Sequence, residues 1–135
     1  MATATKFQQF VADKNNGVHN FSSDTISVAL TLVAPVATNS VLADLTEIAY
    51  TNLSARALTT TSSTQTGGVY KYIAEDLTLT ASGAVAPFRY VAFYNDTAAS
   101  DNLIGFYDYG STVTMSNLET FLIDINQVNG LLSDT

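Results

Sequence analysis

Apolar and polar residues alternate along much of this chain at the two-residue period of a β-strand. The clearest run of the first half is Asp24 to Val33. Ile26, Val28, Leu30 and Leu32 fall on one face, with Thr25, Ser27, Ala29 and Thr31 on the other. That pattern predicts an antiparallel strand with one buried and one wet face, ended by Ala34-Pro35. From Arg89 to Tyr94 both faces are apolar: Tyr90, Ala92 and Tyr94 oppose Val91 and Phe93, which predicts a strand covered on two sides. The polar segment Asn95 to Asn102 reads as its turn. Leu103 to Tyr109 then resumes the apolar run, with Tyr107 and Tyr109 on one face and Asp108 opposite. Gly105 inside it predicts a bulge or the close approach of another backbone. Gly110-Ser111 closes the run.

The flanking segments are shorter. Phe7, Phe10 and Val11 stand at helical spacing, either a helix over one end of the sheet or an arm docking on a neighbouring subunit, broken by Asn15-Asn16-Gly17. Leu42, Leu45, Ile48 and Ala49 predict a short helix or helical turn. Leu58 to Thr61 predicts a strand, and Ser62 to Gly68 an exposed polar loop turning at Gly67-Gly68. Val69 to Thr80 reads as two strands or one bent at Glu75-Asp76, with Tyr70 and Tyr72 pointing one way and Lys71 the other. Ser111 to Met115 is a short strand. Leu118 to Asn126 is another, with Phe121, Ile123 and Ile125 opposite Leu122 and Asp124. Asn129-Gly130 is a turn, and Ser133-Asp134-Thr135 a polar tail. Eight or so strands at close spacing predict an all-β fold, an antiparallel β-sandwich, jelly-roll-like, with a short N-terminal arm or helical turn over residues 1–20.

The chain has 135 residues, enough for a single domain. It has no cysteine, so disulfides and thiolate metal sites are excluded. Net charge is −7, which disfavours direct nucleic-acid binding. No apolar run reaches the ~20 residues of a membrane helix, and the N-terminus lacks the pattern of a secretory signal, so synthesis and folding in a cytoplasm are expected. Only 13% of residues are charged and 47% are apolar, which suggests that a partner or copies of the chain cover part of the surface.

Reactive constellations are sparse. There is no glycine-rich phosphate loop, HExxH, CxxC or GxSxG. His19 has no second histidine or cysteine to complete a metal site, so a structural role is expected. On a helix, Asp44 and Glu47 would share a side, as glycosidase carboxylates do, but the chain has no tryptophan to stack a sugar. Asp96, Thr97 and Asp101 could offer oxygens to Ca²⁺, although their spacing is not that of an EF-hand. No catalytic, cofactor or metal residue is assigned, and enzymatic activity is not expected.

Lys6 to Ala49, Arg89 to Met115 and Leu118 to Leu132 together resemble small virion proteins of tailed bacteriophages. The most specific stretch is Tyr94 to Ser111, YNDTAASDNLIGFYDYGS, and the weakest is Ala55 to Tyr70. The resemblance implies a structural protein, most like a capsid decoration (cement) protein on the capsid exterior, made in the cytoplasm of the bacterial host. Its implied partners are the major capsid protein and copies of itself, as a dimer or trimer. The alternative within the group is a tail- or head-fibre-associated module that recognises a host receptor or glycan. Phe7, Phe10, Val11, Tyr70, Tyr72, Tyr107 and Tyr109 are the interface candidates, on the N-terminal segment and the tyrosine-bearing strands.

Overall fold

The structure, a computed structural model, describes residues 4–134. The chain runs β1 (Thr5–Lys6), α1 (Gln8–Asn15), β2 (Ile26–Thr31), a 3-10 turn (Leu42–Asp44), β3 (Thr60–Thr66), β4 (Val69–Ala74), β5 (Leu77–Thr80), β6 (Val85–Asn95), β7 (Leu103–Met115), β8 (Thr120–Ile123) and β9 (Leu132–Asp134). With 48% of residues in strands and 8% in helix, the fold is all-β. Every strand pairing described is antiparallel. One sheet has the order β1-β7-β6-β2, a second β3-β4-β9, and β5 and β8 form a two-stranded ribbon. Their inner side chains meet in one core, so the packing is sandwich-like.

The β6–β7 hairpin is longer than its hydrophobic pattern suggests. Ser111 to Met115 is not a separate strand but the end of β7. Gly110 takes a φ of +96°, and between the pairs Tyr90–Asp108 and Phe88–Val113 Arg89 alone faces Tyr109 to Thr112. The expected stop is therefore an irregularity that β7 runs through. At Gly105 both expected features are present. The register shifts beside it, from Phe93–Gly105 to Tyr94–Leu103. The backbone of β1 also passes over it, so close that an added Cβ would lie 2.9 Å from the Thr5 carbonyl oxygen.

That crossing strand overturns the docking-arm reading of the N-terminal segment. Thr5 and Lys6 pair with Phe106 and Gly105, and the Phe7 amide donates to the Ile104 carbonyl at 3.1 Å. The pairing turns Phe7 and Phe10 inward, where they are 0% and 2% exposed. They belong to the chain's own core and are not available to a partner surface, whereas Val11 is 51% exposed. The helix alternative is the one observed, over Gln8–Asn15.

β2 also departs from its pattern. All six of its residues are buried, Ser27 and Thr31 included, so there is no wet face. The segment from Glu47 to Leu58 runs along the strand's outer edge. Val28 donates to the Arg56 carbonyl at 2.9 Å, Leu58 to Ile26 at 2.8 Å and Ile48 to Leu30 at 3.0 Å. The edge is thereby closed to other strands.

The helix expected near Leu42 is a single 3-10 turn. The Asp44 carboxylate folds back onto the Ser40 and Val41 amides at 2.9 and 3.2 Å, and Leu45 is already extended. Ser62 to Gly68, expected as a loop, is most of strand β3 and its turn. Thr66 pairs with Val69 across Gly67-Gly68, both at positive φ, the geometry of a tight hairpin. β4 and β5 are the two strands expected around Glu75-Asp76. Ser133 and Asp134, expected as tail, lie in β9 against Lys71 and Tyr70.

Candidate functional site

A cavity of about 540 Å³ opens between α1, the loop from Gly17 to Ser22, the β3–β4 hairpin and β9. Each element contributes through its backbone geometry. β1 brings Lys6, α1 presents Phe10 and Lys14 one turn apart, β3 and β4 place Ser63 opposite Tyr72, two positions along β4 from Tyr70, and β9 adds Leu132 and Asp134. Lys14 Nζ lies 2.6 Å from an Asp134 carboxylate oxygen. The Tyr70 and Ser63 hydroxyls are hydrogen-bonded to each other.

The inner wall is an aromatic stack. His19 lies 5.5 Å from Phe21, nearly parallel, and 5.3 Å from Phe10. Phe21 in turn meets Tyr72 at 5.1 Å. The His19 ring is oriented by Asn95, at the end of β6. Asn95 Oδ1 accepts the amides of Thr97 and Ala98 at 3.0 and 3.2 Å, which fixes the orientation of its side-chain amide. Asn95 Nδ2 then donates to Asp24 at 2.7 Å and to His19 Nδ1 at 3.0 Å. An amide NH₂ has only hydrogens to give, so Nδ1 is the acceptor and the ring proton resides on Nε2. That Nε2–H is buried and has no hydrogen-bond partner among the described residues. Burial lowers the His19 pKa below its usual value, against the opposing pull of Asp13 and Asp24.

The structure sorts the interface candidates. Phe10 and Tyr70 line the cavity. Phe7 and Tyr72 are fully buried, and the Tyr72 hydroxyl pairs with Thr60 Oγ1 at 3.0 Å, so neither offers a contact surface. Tyr107 is half-buried against Phe93 at 6.1 Å, and burial, with Asp124 adding, pushes its hydroxyl pKa up to about 12. Tyr109 is 51% exposed, with its ring edge-on to Phe121 at 5.0 Å. Lys6, Lys14 and Asp134 were not singled out by sequence pattern. Asp134 lies 120 residues from Lys14, and the three carry no local motif.

The carboxylate pair does not form. Asp44 caps the 3-10 turn, whose amides hold its pKa below the usual range, while Glu47 accepts the Tyr50 hydroxyl at 2.5 Å. In the 95–102 turn, Asp96 accepts the Ser27 hydroxyl at 3.1 Å and Thr97 Oγ1 accepts the Thr25 amide at 2.9 Å. Among the described residues, no group of three His, Cys, Asp or Glu is placed to hold a metal ion.

A second surface feature was masked by the alternation of β2. Leu32, assigned by pattern to the buried face, is 46% exposed, and Val33 and Val36 are 60% and 57% exposed. The strand ends at Thr31, whose hydroxyl donates to the Val33 carbonyl at 2.8 Å and turns the chain outward. Asn39 Oδ1 accepts the Val36 amide at 2.8 Å and holds the loop. No charged residue occurs between Asp24 and Asp44.

Comparison of the chain with protein-family models, with curated proteins and with solved structures finds no match. Nothing in those comparisons links it to virion proteins, so that reading rests on the sequence resemblance.

Proposed function

We propose that the chain is a bacteriophage virion structural protein, a capsid decoration protein that binds the assembled head lattice and stabilises it. The resemblance centred on Tyr94 to Ser111 suggests the class. The observation that carries the partner-binding part is the exposed apolar loop at Leu32, Val33 and Val36, set in a stretch without charge. Exposed apolar side chains of this kind are costly in water and are stabilised when a protein partner covers them. The partners are the major capsid protein and further copies of this chain around a lattice axis. A jelly-roll-like winding of the sandwich is part of the same proposal, supported by antiparallel strands around one core.

The mechanism is mass action. A protein that binds the assembled lattice, and not its loose subunits, stabilises each site by about 2.7 kcal/mol at a concentration 100 times the dissociation constant. Repetition over the lattice multiplies that effect against internal pressure. Co-sedimentation with phage heads stripped of their minor proteins tests the reading. Saturable binding at a fixed ratio and a raised disruption temperature are expected, and no binding to heads overturns it.

The cavity beside His19 favours a second reading, a fibre-associated module for a host receptor or glycan. Binding of the purified chain to host cells that lack bound heads would support it.

A further inference from the structure

We propose that the cavity between α1, the β3–β4 hairpin and β9 is a binding site for a small organic carboxylate whose body is an apolar ring.

The charge distribution points to an anion. The chain carries 12 acidic and 5 basic residues, yet two of the five basic residues, Lys6 and Lys14, line this one cavity. Lys14 is matched by Asp134 at 2.6 Å. Lys6 has no ion-pair or hydrogen-bond partner among the described residues, so its ammonium is the unmatched charge of the site. A carboxylate beside Lys6 would supply that partner.

The walls point to a ring. Tyr70, partly buried, presents aromatic surface to the cavity, and the largely buried Phe10, Phe21 and Leu132 make the wall behind it apolar. Flat apolar faces of this kind bind flat apolar bodies by stacking and desolvation. A volume of about 540 Å³ lies within the range of small-molecule sites and accommodates a single ring with its substituents.

His19 provides an independent sign that the site is incomplete without a ligand. Asn95 forces the ring proton onto Nε2, and that donor is buried with nothing to receive it. Folded chains rarely leave such a donor unpaired, since a buried donor that has given up water and gained no acceptor is destabilising. His19 lines the cavity, and an acceptor that reaches Nε2 from there would complete it.

The site does not depend on head binding, and its test is separate. The ¹⁵N-labelled full chain is titrated with benzoate, and in parallel with benzylamine and with glucuronate. The expected result is saturable shifts with benzoate at Lys14, His19, Phe21 and Tyr70, a Kd below about 1 mM, and movement of the His19 Nε2 resonance. Benzylamine, of similar shape and opposite charge, should bind at least tenfold more weakly. Lys6→Gln, an exposed position that leaves the fold intact, should weaken benzoate about fivefold or more. The proposal is overturned by the absence of saturable shifts up to about 10 mM benzoate, by equal binding of benzylamine, or by an unchanged affinity in Lys6→Gln. Binding of glucuronate without benzoate overturns the apolar-ring part and with it the proposal as stated.

Discussion

The side-chain amide of Asn95 faces Nδ1 of His19 at 3.0 Å and donates to it. A proton arriving on Nδ1 would set one N–H against another, and the link between β6 and the 17–22 loop would break. The carboxylates of Asp13, on α1, and Asp24, before β2, pull toward protonation. Burial prevails, and the His19 pKa is lowered in the folded chain. In the unfolded chain it returns to about 6.5. Between those two values the unfolded state binds more protons than the folded one. The His19 contribution to stability is therefore full above about pH 6.5, declines as the pH falls toward the lowered folded value, and changes no further below it. Urea midpoints measured from about pH 7.5 down to about pH 5 should fall across this window. His19→Gln should flatten the fall, and an unflattened curve would assign it to carboxylates elsewhere.

Tyr50 closes the free edge of β2 with a side chain. Its hydroxyl accepts the Leu30 amide at 3.0 Å and donates to Glu47 at 2.5 Å, while Arg56 lies 3.6 Å over its ring. Burial, with the Glu47 hydrogen bond next in size, raises its pKa far above that of free tyrosine, so the hydroxyl stays protonated at any physiological pH. Tyr50→Phe keeps the ring and the stacked Arg56 but strands the amide of Leu30, a residue with no exposure. An unsatisfied buried amide costs roughly 1–3 kcal/mol, and that loss should appear in the urea midpoint at unchanged m-value. Amide exchange at Leu30 should accelerate more than at Val91, its neighbour in the pairing with β6.

The all-β character was legible because period-two runs such as Ile26 to Thr31 and Arg89 to Tyr94 specify strands locally. Gly105 was legible because a glycine inside a strand has few other uses. What alternation cannot show is which second layer arrives. The closed edge of β2 depends on the Glu47–Leu58 segment, and Phe7 points inward because β1 pairs with β7, both long-range facts. Ser62 to Thr66 read as loop because serine and threonine are common there, yet pairing with β4 overrides so weak a local preference. The cavity was invisible for the same reason. Lys6, Lys14 and Asp134 become neighbours only when β9 joins β4 beside α1.

Gly130 is the glycine on which the attachment of β9 turns. It sits at φ +78°, and a Cβ there would collide with the Tyr72 carbonyl oxygen. That same oxygen accepts the Leu131 amide at 2.9 Å, immediately before β9 begins. Gly130→Ala therefore combines a disfavoured dihedral, about 1–2 kcal/mol, with overpacking against backbone of about 1–3 kcal/mol. Gly68→Ala also stands at positive φ but meets open space, so it should show the dihedral cost alone. Thermal melts of the two variants separate the contributions. Near-equal melting points would mean that β9 shifts freely, and the cavity wall with it.

Leu32 and Val33 should be nearly silent in folding and decisive in assembly. Both project from the loop after β2 and are about half exposed, so replacing both by serine removes little buried area. The double variant Leu32→Ser/Val33→Ser should keep its unfolding free energy, from urea titration, within about 1 kcal/mol of the parent. Apolar anchors at a protein interface commonly contribute 1 kcal/mol or more each, so binding to assembled heads should weaken about tenfold or further. Because folding is spared, a loss of co-sedimentation locates the contact at this loop. Unchanged binding would move the contact elsewhere on the surface, with exposed Tyr109, Leu118 and Leu122 the next positions to replace. Loss of the fold in the double variant would instead show that the loop supports the β2 edge, a result that circular dichroism distinguishes before any binding is measured.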